Sequence, residues 1–170
     1  MIRTINSIVV HASDSWYGNA VLLNEWHKQR GFTLSKDGNY IGYHKFISNG
    51  YPTYESYVNK QYQQDWDGRI FTARNDYEIG CHVKGMNNES LGVCIIGKFD
   101  NLLPSLFQLT TLINVVIDWM DKYKVSLDNV FGHREAQLSL KETPTKTCPG
   151  VELQMGWVRG NIWRQKQKPV

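Results

Sequence analysis

Leu91-Gly92-Val93-Cys94-Ile95-Ile96-Gly97 is the stretch that most limits how this chain folds. A near-continuous apolar run of this length reads as a strand covered on both faces, which is the position of a central strand with parallel neighbours. The rest of the sequence alternates around it. Ile5 to His11 reads as a buried strand followed by a turn at Ala12-Ser13-Asp14-Ser15. Residues 18–30 place Val21, Leu22, Leu23 and Trp26 on one helical face that stops at Gly31. Tyr43 to Ile47 and Arg69 to Ala73 read as further strands, and Asn129 to Gly132 as a short one. Pro104 opens the longest helix, in which Leu106, Leu109, Leu112, Ile113, Val116, Ile117 and Met120 recur at three and four residues. Val151 to Trp163 reads as a closing helix. Alternation without repeats or linkers predicts a single α/β domain spanning residues 1–170. A mixed sheet of about five to six strands is expected, flanked by three main helices.

The segment 49–67 breaks the pattern. It opens on the turn Asn49-Gly50-Tyr51-Pro52 and is rich in tyrosine and glutamine, with weak periodicity. It reads as a loop with one helical turn. Basic residues thicken at the C-terminus (Arg159, Arg164, Lys166, Lys168), as a solvated helix ending in a basic tail over 164–170.

A net charge of +3 is too mild to argue for a nucleic-acid partner. No apolar run approaches the length of a membrane span, so no membrane insertion is expected. Met1-Ile2-Arg3-Thr4 leads into the first strand with no apolar signal region, which predicts synthesis in the cytoplasm. A monomer is expected.

The chemistry concentrates near the end of the chain. Gly132-His133-Arg134-Glu135 is followed, after a polar loop, by Lys146-Thr147-Cys148-Pro149-Gly150. Imidazole and thiolate are preferred zinc ligands, and His11 ends the first apolar strand. Two histidines and a cysteine make three protein ligands, which leaves a fourth zinc position open to water, as catalysis requires. Lys146 is placed to reach that open position, and Tyr43 reaches it if its strand lies beside that of His11. Of the three cysteines, Cys94 reads as a core residue and Cys81 has no ligand-like company. His27 and His44 read as packed histidines.

Six blocks in order resemble the zinc N-acetylmuramoyl-L-alanine amidases of the amidase type 2 family, to which peptidoglycan recognition proteins are related. They are Ile8–Ser13, Trp26–Phe32, Ile41–His44, Ile79–Asn87, Ser90–Gly97, and the pair Gly132–Glu135 with Lys146–Gly150. The resemblance covers nearly the whole chain. It implies one Zn2+ per chain held by His11, His133 and Cys148, with Tyr43 as the catalytic tyrosine and Lys146 as the lysine at the metal-bound oxygen. It implies peptidoglycan as partner and cleavage of the amide between N-acetylmuramic acid and L-alanine of the stem peptide. His82 matches a position at the substrate groove, with a substrate-binding or orienting role. Asn87 is a second substrate-binding candidate, set against a plain turn asparagine. Glu135 either orients a ligand from behind or forms a surface ion pair with Arg134 or a lysine.

The implied biological role is a phage or prophage endolysin, reaching the cell wall after holin-type release or lysis. Two other readings stand beside it: a cytosolic amidase that recycles muropeptides, and a peptidoglycan-binding module that does not cut. The segment 49–67 departs from compact family members, as a groove wall or an inert surface loop.

Overall fold

The apolar run around Val93 forms a strand whose every residue is buried, and it lies in the middle of the sheet. In the computed structural model, which describes residues 3–168, five strands are present. They are β1 (Ser7–Ala12), β2 (Lys45–Ile47), β3 (Ile70–Thr72), β4 (Ser90–Ile95) and β5 (Val130–Gly132), in spatial order β3-β2-β4-β1-β5. β4 pairs in parallel with both β1 and β2, and β5 with β1; only the edge strand β3 is antiparallel. The expected mixed sheet with a doubly covered central strand is therefore what the chain builds.

Because strand side chains alternate, the register decides what faces what. Ile8 stands opposite Leu91 and Val10 opposite Val93. These residues meet α3 (Leu106–Tyr123) and α5 (Met155–Lys166) through Leu112, Val116, Val158 and Ile162, making the larger core. Val9 stands opposite Gly92 and His11 opposite Cys94, on the other face. There α1 (Ala20–Gln29) packs Leu23 with Tyr43, Phe46 and Cys94. α4 (His133–Ser139) packs Ala136 with Val9, Val83 and Met86. One face is thus a greasy foundation; the other carries histidine, glycine and thiol groups.

The three expected main helices are present, with shifts that have local causes. In α1 the sheet-facing pair is Leu23 and His27, while Val21 is 70% exposed. A spacing of four residues puts Leu23 and His27 one above the other, and Val21 falls outside that face. In α3 the expected stripe is buried at Leu112, Ile113, Val116 and Met120 and joined by Trp119, with Leu109 and Ile117 half-buried, but Leu106 is exposed in the first turn. That turn is fixed by a reciprocal cap, Gln108 N–H donating to Ser105 Oγ at 3.0 Å and Ser105 N–H to Gln108 Oε1 at 3.2 Å. α5 begins at Met155 rather than Val151. Val151 N–H donates to Asp100 Oδ1 and Glu152 N–H to Phe99 O, so those residues are held in a loop instead. α5 runs to Lys166, so the basic tail starts within the helix, and its last two residues, 169–170, lie outside the described residues.

Segment 49–67 contains α2 (Tyr54–Val58), capped by Thr53 and Ser56, and a 3-10 turn at Gln64–Trp66. Its tyrosines pack on the loop after β1, Tyr57 against Trp16 and Tyr54 against Tyr17. Asp67 accepts hydrogen bonds from Tyr62 and Ser105, tying the segment to the start of α3. Among the described residues, no helix is long and apolar enough to cross a membrane.

Candidate active site

The site forms where β1 and β5 end. His11 is the fifth residue of β1, and His133 follows directly on β5 as the first residue of α4. The C-terminal edge of parallel strands is where open α/β folds place ligands. Cys148 reaches the same point from the loop after α4. Three anchors hold it there: Ala12 N–H donates to its sulfur at 3.5 Å, Arg134 N–H donates to its carbonyl at 2.9 Å, and Pro149 packs against Gly132. Gly132 and Gly150 have no room for a side chain. A Cβ on Gly132 would stand 2.7 Å from Pro149 Cδ, and one on Gly150 2.4 Å from the Phe99 carbonyl oxygen.

The turn that presents His133 is braced from behind. Glu135 Oε2 accepts the Gly132 N–H at 3.0 Å, and the same carboxylate takes both arms of the Arg159 guanidinium at 2.8 and 3.0 Å. Arg159 also donates to the Val130 carbonyl at 2.8 Å, which links α5 to β5. The cation expected for Glu135 was Arg134 or a lysine; it is Arg159, brought across by α5.

The expected ligands converge. One donor atom each from His11, His133 and Cys148 lies within 4.8 Å of the others, and His11 Nδ1 is 4.0 Å from Cys148 Sγ. Zinc–nitrogen and zinc–sulfur bonds of about 2.0–2.3 Å set tetrahedral ligand separations of roughly 3.3–3.8 Å, so only a small contraction separates this set from a zinc site. The protonation states also suit a metal. Burial, then the neighbouring His82 and His133, hold His11 well below its ordinary pKa, and burial with Lys146 lowers His133. Both imidazoles are therefore neutral. Burial pushes the Cys148 thiol up to about 11, against the pull of the Ala12 N–H and Lys146, so metal uptake there releases a proton. The donor set fits zinc.

Tyr43 and Lys146 differ in burial. The Tyr43 ring is buried with its centroid 5.0 Å from that of His11. Burial and the nearby thiols of Cys94 and Cys148 raise its phenol well above 10, which makes it a hydrogen-bond donor. Lys146 is exposed and lines a cavity of about 500 Å³ beside Cys148, floored by Ala12, Phe99 and Pro149 and rimmed by Asp14, Asp100 and Arg134.

The other two candidates sit behind the ligands. His82 is 8% exposed, and its Nδ1 lies 3.1 Å from His11 Nε2. It faces a ligand from within the protein, which favours the orienting alternative over a groove position. Asn87 uses its Oδ1 to accept the backbone N–H groups of His82 and Val83, both at 2.9 Å. That acceptor is spent on the turn. His27 and His44 are buried, as expected. Cys94 is a core residue, as expected, but neither the company it keeps nor Ser90 is singled out by the sequence. Cys94 is the register partner of His11 and lies beside the Tyr43 hydroxyl. Ser90, fully buried, lies behind His82. The apolar alternation of β4 carried a signal for both: Ser90, Gly92 and Cys94 are the positions that share a face with His11.

An α/β sheet with two histidines at the ends of parallel strands, joined by a cysteine that lines a charged cavity, has a layout that suits a metallohydrolase. The N-acetylmuramoyl-L-alanine amidase family matches residues 2–151, and the chain belongs to that family. Its curated relatives include the endolysin of Enterobacteria phage T3, 26% identical over 169 residues, covering 94% of this chain and 89% of that one. The endolysin of Escherichia phage T7 is 26% identical over 170 residues, covering 94% and 90%. The fold is shared with N-acetylmuramoyl-L-alanine amidase LysC from Clostridium intestinale URNW, at a TM-score of 0.71 and 22% identity over 94% of this chain and 86% of that one. Drosophila PGRP-LB has it too, with a TM-score of 0.63 and 22% identity over 89% and 78%.

Proposed function

We propose that this amidase is a zinc enzyme that cleaves the bond between N-acetylmuramic acid and the L-alanine of the stem peptide, as a phage-type endolysin. The observation that carries the reading is the convergence of His11, His133 and Cys148 within 4.8 Å beside a cavity lined by Lys146. Bound by these three residues, zinc supplies a Lewis acid and a means of activating water near neutral pH.

The chain's own groups supply the rest. His11 and His133 come from strand ends and stay neutral, so the metal site needs little reorganisation. Lys146 brings a positive charge to the open side, where negative charge develops on the lactyl carbonyl oxygen during attack. Tyr43, kept protonated, donates a hydrogen bond toward the same region from the buried side. The leaving alanine nitrogen takes its proton from this pair, directly or through a water between them. The cavity's mixed rim of Asp14, Asp100, Arg134 and Lys146 suits a substrate carrying both amino and carboxylate groups.

The test is zinc content and release of stem peptides from purified sacculi, for the parental chain and for Cys148→Ala. One zinc per parental chain is expected, with both zinc and release lost in the variant. Normal turnover by a zinc-free Cys148→Ala protein would overturn the reading. Faster turnover of intact sacculi than of soluble muropeptides is expected of an endolysin; the reverse order would assign the chain to recycling.

A further inference from the structure

We propose that His82 is a positioning residue for the metal site, fixing the tautomer and ring plane of His11 through a one-way hydrogen-bond chain that ends on the Met86 carbonyl. The inference rests on the zinc reading above and extends it to residues that touch neither metal nor substrate.

The direction of the chain is dictated from both ends. At the front, His11 Nδ1 faces Cys148 Sγ at 4.0 Å, so Nδ1 must keep its lone pair to act as a ligand and the ring proton sits on Nε2. That N–H points at His82 Nδ1, 3.1 Å away. At the back, a backbone carbonyl can only accept. Ser90 therefore donates its hydroxyl proton to Met86 O at 2.7 Å and turns a lone pair toward His82 Nε2, at 3.5 Å. His82 then carries its proton on Nε2 and presents a bare Nδ1 to His11. The two ends demand the same tautomer of His82.

The chain is enclosed, which gives it authority over His11. His11, His82 and Ser90 are 2%, 8% and 0% exposed, so water is a poor substitute for any partner. The His82 ring is wedged between two glycines: a Cβ on Gly80 would lie 2.5 Å from its Cδ2, and one on Gly92 2.8 Å from its Cγ. Its backbone is pinned by Asn87 Oδ1, which accepts the N–H groups of His82 and Val83. Gly92 is in turn the register partner of Val9, two residues before His11 on the same face of the sheet. Two strands, a loop and a slot without side chains thus converge on holding one ring nitrogen. Metal-binding histidines depend on such a partner at their second nitrogen, and its loss typically costs about 10–100-fold in metal affinity.

The test compares two replacements that occupy the same space. Asn places Oδ1 where His has Nδ1 and keeps an acceptor for His11, whereas Leu places a methyl group there. Zinc affinity is measured by competition with a chromophoric chelator, alongside thermal unfolding of the metal-free proteins. His82→Asn is expected to hold zinc nearly as tightly as the parent, and His82→Leu about 10–100-fold more weakly. Equal affinity of the Leu variant and the tightly binding parent would overturn the inference alone. So would equal weakening in both variants, which would mark His82 as filler. A parent that takes up no zinc would overturn the zinc reading and this inference with it. Ring nitrogen NMR of the parental zinc-loaded protein decides the matter without a variant: Nε2–H on His82 is expected, and Nδ1–H refutes the chain.

Discussion

His27 offers a prediction in which one buried proton acceptor sets part of the acid stability. The residue lies on the sheet-facing side of α1 and is 3% exposed. Its Nδ1 accepts the Gly42 N–H at 2.9 Å, and its ring stacks on Phe32 at 4.4 Å. Burial first, then the positive charges of Arg30 and Arg74, bring its pKa down to about 4 from 6.5. Unfolding returns it to the ordinary value, so between these two limits the unfolded chain binds the extra proton. The stabilisation from keeping His27 neutral is fully present above pH 6.5 and is lost as pH falls toward 4. Proton linkage makes the loss about 2 kcal/mol at pH 5, against a total stability for such domains of roughly 5–15 kcal/mol.

The perturbation is His27→Asn, whose Oδ1 takes the place of Nδ1, accepts the Gly42 N–H and does not protonate. Urea unfolding of the metal-free chain at pH 7.5 and pH 5.0 is the assay. At pH 7.5 the variant should be less stable by about 1–3 kcal/mol, because the ring's packing is lost. Its further loss on going to pH 5.0 should be smaller than the parent's by about 2 kcal/mol. His44, also held at about 4 by burial, remains in both proteins and cancels in the comparison. Equal losses in parent and variant would refute the argument.

Three further outcomes are expected. Gly92→Ala puts a Cβ 2.8 Å from the His82 ring in the central strand. It should cost about 1–3 kcal/mol in thermal or urea unfolding and weaken zinc binding as well, and parental values in both would count against the slot. Arg159→Ala removes the two-armed hydrogen bond to the half-buried Glu135 and should cost about 1–3 kcal/mol. Burial tends to raise the Glu135 pKa, but the bonds from Arg159 and Gly132 hold it below 4.5. Its contribution is therefore present above pH 4.5 and is lost as pH falls through the folded value; the variant should show a shallower acid limb in urea midpoints between pH 7 and 3.5. Lys146→Ala should keep its zinc yet release stem peptides about 10²–10³-fold more slowly, read by metal analysis beside a turnover assay.

Much of the fold was legible because it rests on local periodicity. The unbroken run at Leu91–Gly97 demanded cover on both faces, and the sheet gives it α3 and α5 on one side and α1 on the other. Boundaries were less legible where side chains from distant segments took over the backbone. The start of α5 moved from Val151 to Met155 because Asp100 and Phe99, some fifty residues earlier, accept the N–H groups of Val151 and Glu152. α4 went unseen because its seven residues are too few for periodicity to speak, and its entry depends on Glu135 meeting Arg159 across the chain.

The site divides in the same way. His11, His133 and Cys148 could be named because zinc chemistry restricts the residue types and the surrounding blocks carry the family's pattern. For His82 the sequence left a substrate-binding and an orienting role side by side, since the choice depends on which residue of β4 lies under the ring, a matter of strand register rather than composition. That difference has a chemical consequence. The proposed metal ligands are backed by packed strands, glycine slots and buried hydrogen bonds, whereas Lys146 stands exposed on the cavity rim. Substitutions in these supports should therefore change metal affinity first. Those around Lys146, on a segment with little packed behind it, should change turnover while leaving the metal in place. The two requirements of the proposed reaction, a fixed ion and a positive charge beside it, fall to two parts of the chain that differ in burial, one packed and one exposed.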